Sequence, residues 1–242
     1  MTTSDEVQAD IQAERSPEGR PGEKIYYLSK SDLFGDLSPE QLEELQRSIS
    51  MSTCTRGRVF FSPGETGEVL FLLKSGRVNL YRVTVDGKKL VTATVEPGSV
   101  FGEMSLIGAK MHDSFAESVE DCLICAMSHA DVERMLARYP TVALRLLELL
   151  AKRVDDAEER LADSAYKSTP ARIATLLLRL SPDGEVPVKL AHQDIAEMVG
   201  TYRETATRML NEMRADGLLE LRRMEIEVLD RERLEVRARD ES

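Results

Sequence analysis

Apolar residues change their spacing along this chain, and the changes divide it into segments of different texture. Between about Arg56 and Met127 they fall in short runs such as VFF, VLFLL, RVNLYRVTV and KLVTATV, punctuated by glycines at 57, 64, 67, 76, 87, 98, 102 and 108. No helical periodicity runs through this segment. Asp86-Gly87 between two β-rich runs signals a hairpin. Many short strands with such turns predict a sandwich or barrel of the jelly-roll type. Ahead of it, Ser38-Pro39-Glu40-Gln41 reads as a helix start, with Ser38 as N-cap, a proline in the first turn and Gln41 closing a capping box. A short helix through Ile49 should follow.

From Pro140 to about Ala165 the spacing becomes helical. Leu147, Val154 and Leu161 recur every seven residues, and Leu150, Ala157 and Ser164 follow at an offset of three. That is the a/d seam of a two-stranded coiled coil, flanked by Lys152, Arg153, Asp155, Glu158, Glu159 and Arg160. The alternative is a helix packed on its own barrel, and Leu144, Leu146 and Leu149 are expected to pack there. Thr169-Pro170 caps a further helix, Ala171–Leu180, and Pro182-Asp183-Gly184 reads as a turn.

The most specific pattern follows in Leu190–Gly217. Ile195, Met198 and Val199 recur at helical spacing, Gly200 breaks the pattern, and Ala206, Met209, Leu210 and Met213 form a second stripe that Asp216-Gly217 stops. Ala196 and Ala206 are small where two helices would cross, and Gly200 suits the positive φ of a tight turn. This is a helix-turn-helix. The first turn of its second helix presents Arg203 and Glu204, and Arg208 lies on the same face. Arginine can grip guanine O6 and N7 with two bonds, and glutamate can accept one from cytosine N4. The competing reading is a pair of surface helices with i,i+4 charge pairs. LLELRR and EIEVLD, around Arg223-Met224, add a two-stranded wing; the charged tail from Asp230 has no assigned role.

Charge changes this picture only in detail. The formal net charge is −11, of which residues 166–242 carry −2 and the rest −9. A locally basic stripe can still meet phosphates, while the acidic remainder limits sequence-blind binding. No apolar run is long enough to span a bilayer, the opening residues hold no hydrophobic signal segment, and a cytoplasmic location is expected. The polar, Pro/Gly-rich residues 1–24 are expected to be a disordered tail. Cys54, Cys122 and Cys125 are too few for a disulfide framework, and Cys122 and Cys125 should point to opposite faces of a strand as buried core residues. No metal site is expected: a C-x2-C alone lacks ligands, and His112 stands alone in a polar loop as a haem candidate. His129 reads as a helix-start surface residue. With no nucleophile motif, phosphate loop or acid–base set, catalysis is not expected.

A strand-rich domain, a dimer helix and a winged helix-turn-helix in that order resemble the CRP/FNR family of bacterial transcription regulators, over about residues 33–230. FGEMSL at Phe101–Leu106, the Gly76 and Gly98 turns, and VGTYRETATRML at Val199–Leu210 carry the likeness. The resemblance implies an α+β chain: an effector-type β-barrel over 25–139, a dimerisation helix over 140–165 and a DNA-binding domain over 166–242. It implies double-stranded DNA, a second copy of the chain and RNA polymerase as partners, and no cofactor. Arg203, Glu204 and Arg208 match the family's readers of a TGTGA-type half-site; His192 and Gln193 match phosphate contacts, and Thr205 completes the DNA-binding set. Ala191 stands where relatives often carry a capping Ser or Thr.

The effector pocket matches Gly102, Glu103, Met104, Ser114, Phe115, Ala157 and Glu158. There the chain departs from its relatives. Asp113-Ser114 replaces the Arg-Ser whose arginine pairs with the cyclic phosphate, and Ala157-Glu158 replaces the Thr-Ser that recognises adenine. Cyclic AMP is therefore not the expected effector, which is another small molecule or none. In the nitrogen-control branch, an arginine that contacts 2-oxoglutarate matches Ser114, so that anchor is missing too. Arg145, Lys152 and Arg153 could supply positive charge, or stand as solvated flanks of the helix. The cysteine cluster of the iron–sulfur members is absent from residues 1–53. The alternative function is a small-molecule or redox sensor that regulates a protein partner; the Arg203/Glu204/Arg208 trio argues against it.

Overall fold

A computed structural model of the chain describes residues 23–65, 69–102, 114–181 and 187–240. They form two compact units, one of residues up to Arg82 with Ala93–Arg153, the other of Val83–Thr92 with residues from Val154 onward.

The first unit begins with helices α1 (Glu23–Ser29) and α2 (Pro39–Leu45). Ser38 caps α2 as expected: the Gln41 amide donates to Ser38 Oγ at 3.3 Å, and the Ser38 amide donates back to Gln41 Oε1 at 2.8 Å. Strands β1 (Ser50–Cys54), β2 (Val59–Phe61), β3 (Val69–Ser75), β4 (Val78–Val83), β5 (Lys89–Val95), β6 (Val100–Phe101), β7 (Phe115–Ser118) and β8 (Cys122–Ser128) follow. They pair as two four-stranded sheets, β1-β8-β3-β6 and β2-β7-β4-β5. The barrel thus starts at Ser50, ahead of the expected Arg56. SMSTC holds one β-former, Thr53; it is a strand because it lies antiparallel along the apolar β8.

The runs VLFLL and CLICAM are continuous because β3 and β8 are covered on both faces. Leu70, Leu72, Cys125 and Met127 face a core shared with α1 and α2. Phe71, Leu73, Cys122, Ile124 and Ala126 face the barrel interior. Cys122 and Cys125 therefore point opposite ways, as expected. Inside, the rings of Phe60, Phe71 and Phe101 meet at centroid distances of 4.9–5.3 Å. Gly76 turns with φ +84° against the start of β8, where a Cβ would collide with Asp121 O and Cys122 Sγ. The Asp86-Gly87 hairpin forms as expected, with the Gly87 amide donating to Thr84 O at 2.8 Å.

Ser128 caps α3 (His129–Arg138), placing His129 at a helix start as expected. Then comes α4 (Pro140–Tyr166). Val142 and Leu146 are buried on it, and Leu149 and Leu150 pack partly on the same core. Leu144 does not pack on the barrel, contrary to expectation: it is 61 % exposed, and Leu147, Val154 and Leu161 are 61 %, 56 % and 71 % exposed. Leu150, assigned to the seam, lies one turn past Leu146 and shares its inward face.

In the second unit, α5 (Thr169–Leu180) is capped by Ser168, one residue ahead of the expected Thr169. Helices α6 (His192–Val199) and α7 (Arg203–Ala215) precede strands β9 (Leu219–Arg222) and β10 (Glu225–Val228), which form the expected wing. Val188 bridges to Ile226 beside them. The tail left unassigned forms α8 (Arg231–Arg237), with Asp230 as cap and Leu234 fully buried. The Pro182-Asp183-Gly184 turn, most of the 1–24 tail, Glu103, Met104, His112 and Asp113 lie outside the described residues. None of the described helices is long and apolar enough to cross a membrane.

Candidate nucleic-acid interface

The reading head is built on small residues and one glycine. Ala196 and Ala206 are fully buried where α6 meets α7, so the helices approach closely. Gly200 ends α6 in the left-handed conformation, φ +70°, and the Thr201 amide donates to Ala196 O at 2.9 Å. Arg172 reaches over from α5 and donates to Val199 O at 3.0 Å, satisfying a carbonyl that the helix end leaves open. At the other end Ala191 offers no capping side chain; Asp194 accepts from the Ala191 amide at 2.8 Å. Ile195, Leu210 and Met213 join Ile173, Leu177 and Ile226 in the core beneath.

This packing turns one face of α7 inward and leaves the other open. Ala206, Met209, Leu210 and Met213 are buried. Arg203, Glu204 and Arg208 are exposed together on the first two turns, with Thr205 half-buried beside them. The ion-pair partner of Arg208 among the described residues is Glu212, at 3.6 Å, one turn further on. Gln193 donates to Glu197 at 2.7 Å. His192 is half-buried, with Nδ1 at 3.1 Å from Thr207 Oγ1 on α7. Burial, then the neighbouring Arg203, holds its pKa below the ordinary histidine value. His192, Gln193, Arg203, Arg222 and Met224 line a cleft of about 200 Å³ between the start of α6, the start of α7 and the wing.

The tip of the β4–β5 hairpin belongs to the same unit and meets the turn before α7. Lys88 Nζ donates to Gly200 O at 3.3 Å and lies 4.1 Å from the centre of the Tyr202 ring. The sequence reading missed this contact, since nothing local in a hairpin names a distant partner.

The matched effector residues are less telling. Gly102 is buried with φ +82°. Ser114 and Phe115 are half-buried, and Phe115 stacks on Tyr81 at 5.0 Å. Ala157 and Glu158 are exposed on α4. Arg145 is engaged by Asp36 at 2.6 Å and Glu148 at 2.8 Å, and Arg153 donates to Val100 O. Among the described residues, no three His, Cys, Asp or Glu side chains gather as a metal site.

An exposed Arg-Glu-Arg face on the second helix of a winged helix-turn-helix, in a chain with a jelly-roll domain, defines a DNA-binding protein with a sensor-type barrel. Residues 171–237 match the Crp-like helix-turn-helix domain, and residues 51–139 match the cyclic nucleotide-binding domain. The cyclic AMP receptor protein of Thermus thermophilus is 32 % identical over 209 residues, covering 86 % of this chain and 97 % of that protein. A CRP-like cAMP-activated global transcriptional regulator of Mycobacterium tuberculosis is 28 % identical over 220 residues, covering 88 % and 98 %. The fold matches a crystal structure of a crp/fnr family regulator from Eubacterium rectale with TM-score 0.72 at 24 % identity, covering 86 % of this chain and 98 % of that one. The chain belongs to the CRP/FNR family. It is a DNA-binding transcription regulator, and its family is not one of enzymes.

Proposed function

We propose that the chain acts as a homodimer joined along α4 and reads a palindrome close to TGTGA-N6-TCACA. The observation that carries this reading is the joint exposure of Arg203, Glu204 and Arg208 on the open face of α7. The N-terminal end of α7 enters the major groove. Arg203 and Arg208 meet guanine edges, Glu204 meets a cytosine amine, Thr205 supports them, and His192 and Gln193 contact phosphates. The exposed Leu144, Leu147, Val154 and Leu161 supply the dimer contact, which sets two readers about one helical turn apart.

Residues 25–139 serve as the effector-type domain, 140–165 as the dimerisation helix and 166–242 as the DNA-binding domain. Cyclic AMP is not the effector. An exposed Glu158 carboxylate stands where its relatives recognise adenine, and Asp113 replaces their phosphate-binding arginine. An effector must bind two conformations differently in order to shift them, and the chain lacks both anchors for that. The protein works in the cytoplasm with RNA polymerase as partner.

Selection from randomised DNA tests the reading. A palindrome containing GTGA is expected; an enriched motif without it, or one unchanged by Arg203→Ala, overturns the assignment. Calorimetry that found micromolar cyclic AMP binding with improved operator affinity would overturn the effector reading.

A further inference from the structure

Lys167 and Ser168 alone join α4 to α5, and both are braced by groups from elsewhere. Lys167 Nζ lies 2.8 Å from the Asp163 carboxylate on the last turn of α4 and donates to Thr175 Oγ1 on α5 at 3.0 Å. One ammonium therefore ties the two helices together. The Ser168 amide donates to Asp240 O at 3.4 Å, just past the end of α8. That helix runs antiparallel along the whole of α5. Arg231 at its start donates to Ser181 O at 2.9 Å, beyond the end of α5, while Asp240 reaches the residue that caps the beginning of α5. Leu234 and Ala238, one turn apart, hold α8 to the core that contains Ile173 and Leu177. Arg237 lies 3.2 Å from the Asp240 carboxylate and fixes the last link. All these residues belong to one compact unit.

We infer that α8 is a strap over the joint between the dimer helix and the reader, and that Lys167 and Asp240 decide which half-site spacing the dimer accepts. This role rests on the palindrome reading above and adds to it the residues that fix where each reader stands. Every residue of a joint brings two soft backbone torsions, and a swing about any of them carries the N-terminal end of α7 with it. Arg203, Glu204 and Arg208 choose bases; they do not set the distance between the two copies of themselves. Each base pair added between half-sites moves one of them by about 3.4 Å along the duplex and about 35° around it. A braced joint holds its reader against that displacement, and a free joint lets it follow. Lys167 and Asp240 are thus positioning residues that act through α5 and touch no DNA.

The experiment measures affinity by fluorescence anisotropy for TGTGA-N6-TCACA and for duplexes with one base pair fewer or more between the half-sites, at fixed ionic strength. The full chain, a chain ending at Ala238 and Lys167→Met are compared, with Lys167→Arg as the conservative variant. The truncated chain keeps Leu234 and Ala238 and loses only the contacts of Asp240. The full chain should bind N6 about tenfold more tightly than the altered spacings, because the duplex must twist to meet a fixed reader. Lys167→Arg should keep that profile. The truncated chain and Lys167→Met should bind all lengths alike while retaining the dimer mass and the preference for GTGA over a scrambled half-site. Profiles in both that match the full chain overturn the inference. So does loss of the GTGA preference in both, since α8 and Lys167 would then hold the reader's fold and not its position. A full chain that prefers GTGA but accepts every spacing overturns the strap and leaves the base reading standing. A full chain without any GTGA preference overturns both.

Discussion

Cys54 stands directly opposite Cys122 in the β1–β8 ladder, and both lie in the barrel core. Burial, then the neighbouring Cys122, pushes the Cys54 thiol up to about 11. Cys122 is raised as well, chiefly by burial. A thiol that resists ionisation is a poor nucleophile. Cys54 and Cys122 should therefore resist aromatic disulfide reagents at neutral pH in the folded protein, Cys125 should resist them because it is buried, and all three should react fully in guanidinium. Fast stoichiometric labelling of one native thiol would contradict this.

The same shift gives a pH dependence. A thiol whose folded pKa lies above its unfolded one contributes stability that is whole below the unfolded value of about 9 and is lost as pH rises toward about 11. Urea midpoints at pH 8 and 10.5 should fall further for wild type than for Cys54→Val. Equal falls would show that Cys54 contributes nothing.

Ala191 leaves the first turn of α6 without a capping oxygen. Ala191→Ser should stabilise the reader by about 1 kcal/mol, read as a rise in the urea midpoint. An unchanged midpoint would mean that the reciprocal bond from Asp194 already satisfies that turn.

Arg203→Ala should cost about 1–3 kcal/mol of binding and relax preference at one guanine. A phosphate contact behaves differently: losing it weakens all sequences alike and lowers the salt slope by about one. Binding titrations against single-base variants at several salt concentrations separate the two patterns.

The seam on α4 should fail when charged. Val154→Asp with Leu161→Asp puts two pairs of carboxylates face to face across a dimer, and light scattering should then report the monomer mass. A dimer mass would place the interface elsewhere.

What could be read from the sequence follows from the range of each signal. The capping box at Ser38, the hairpin at Asp86-Gly87, the turn at Gly200 and the stripe Ala206–Met213 are local, and each appears where its residues predict it. SMSTC and the helix around Leu234 carry weak local patterns and take their form from distant neighbours. Leu144 and Leu150 differ in burial although both suit a helix face, because the surface they meet comes from elsewhere in the chain. Arg203, Glu204 and Arg208 could be named because one helix presents all three; the cleft that joins His192 to Arg222 needed the wing folded back beside it.

The pairing of β1 with β8 also sets an order of events during synthesis. Ser50 waits for Ala126, its partner in the ladder 76 residues later, so the first strand leaves the ribosome with nothing to pair against. The sheet closes only after residue 128 has emerged, and a nascent chain halted earlier presents the bare edges of β3 and β1 to its surroundings. The reader has a later wait of the same kind, since Val188 needs Ile226 and α5 is covered by α8 from the far end of the domain. A ribosome that pauses between the two therefore holds a finished barrel beside an unmade reader.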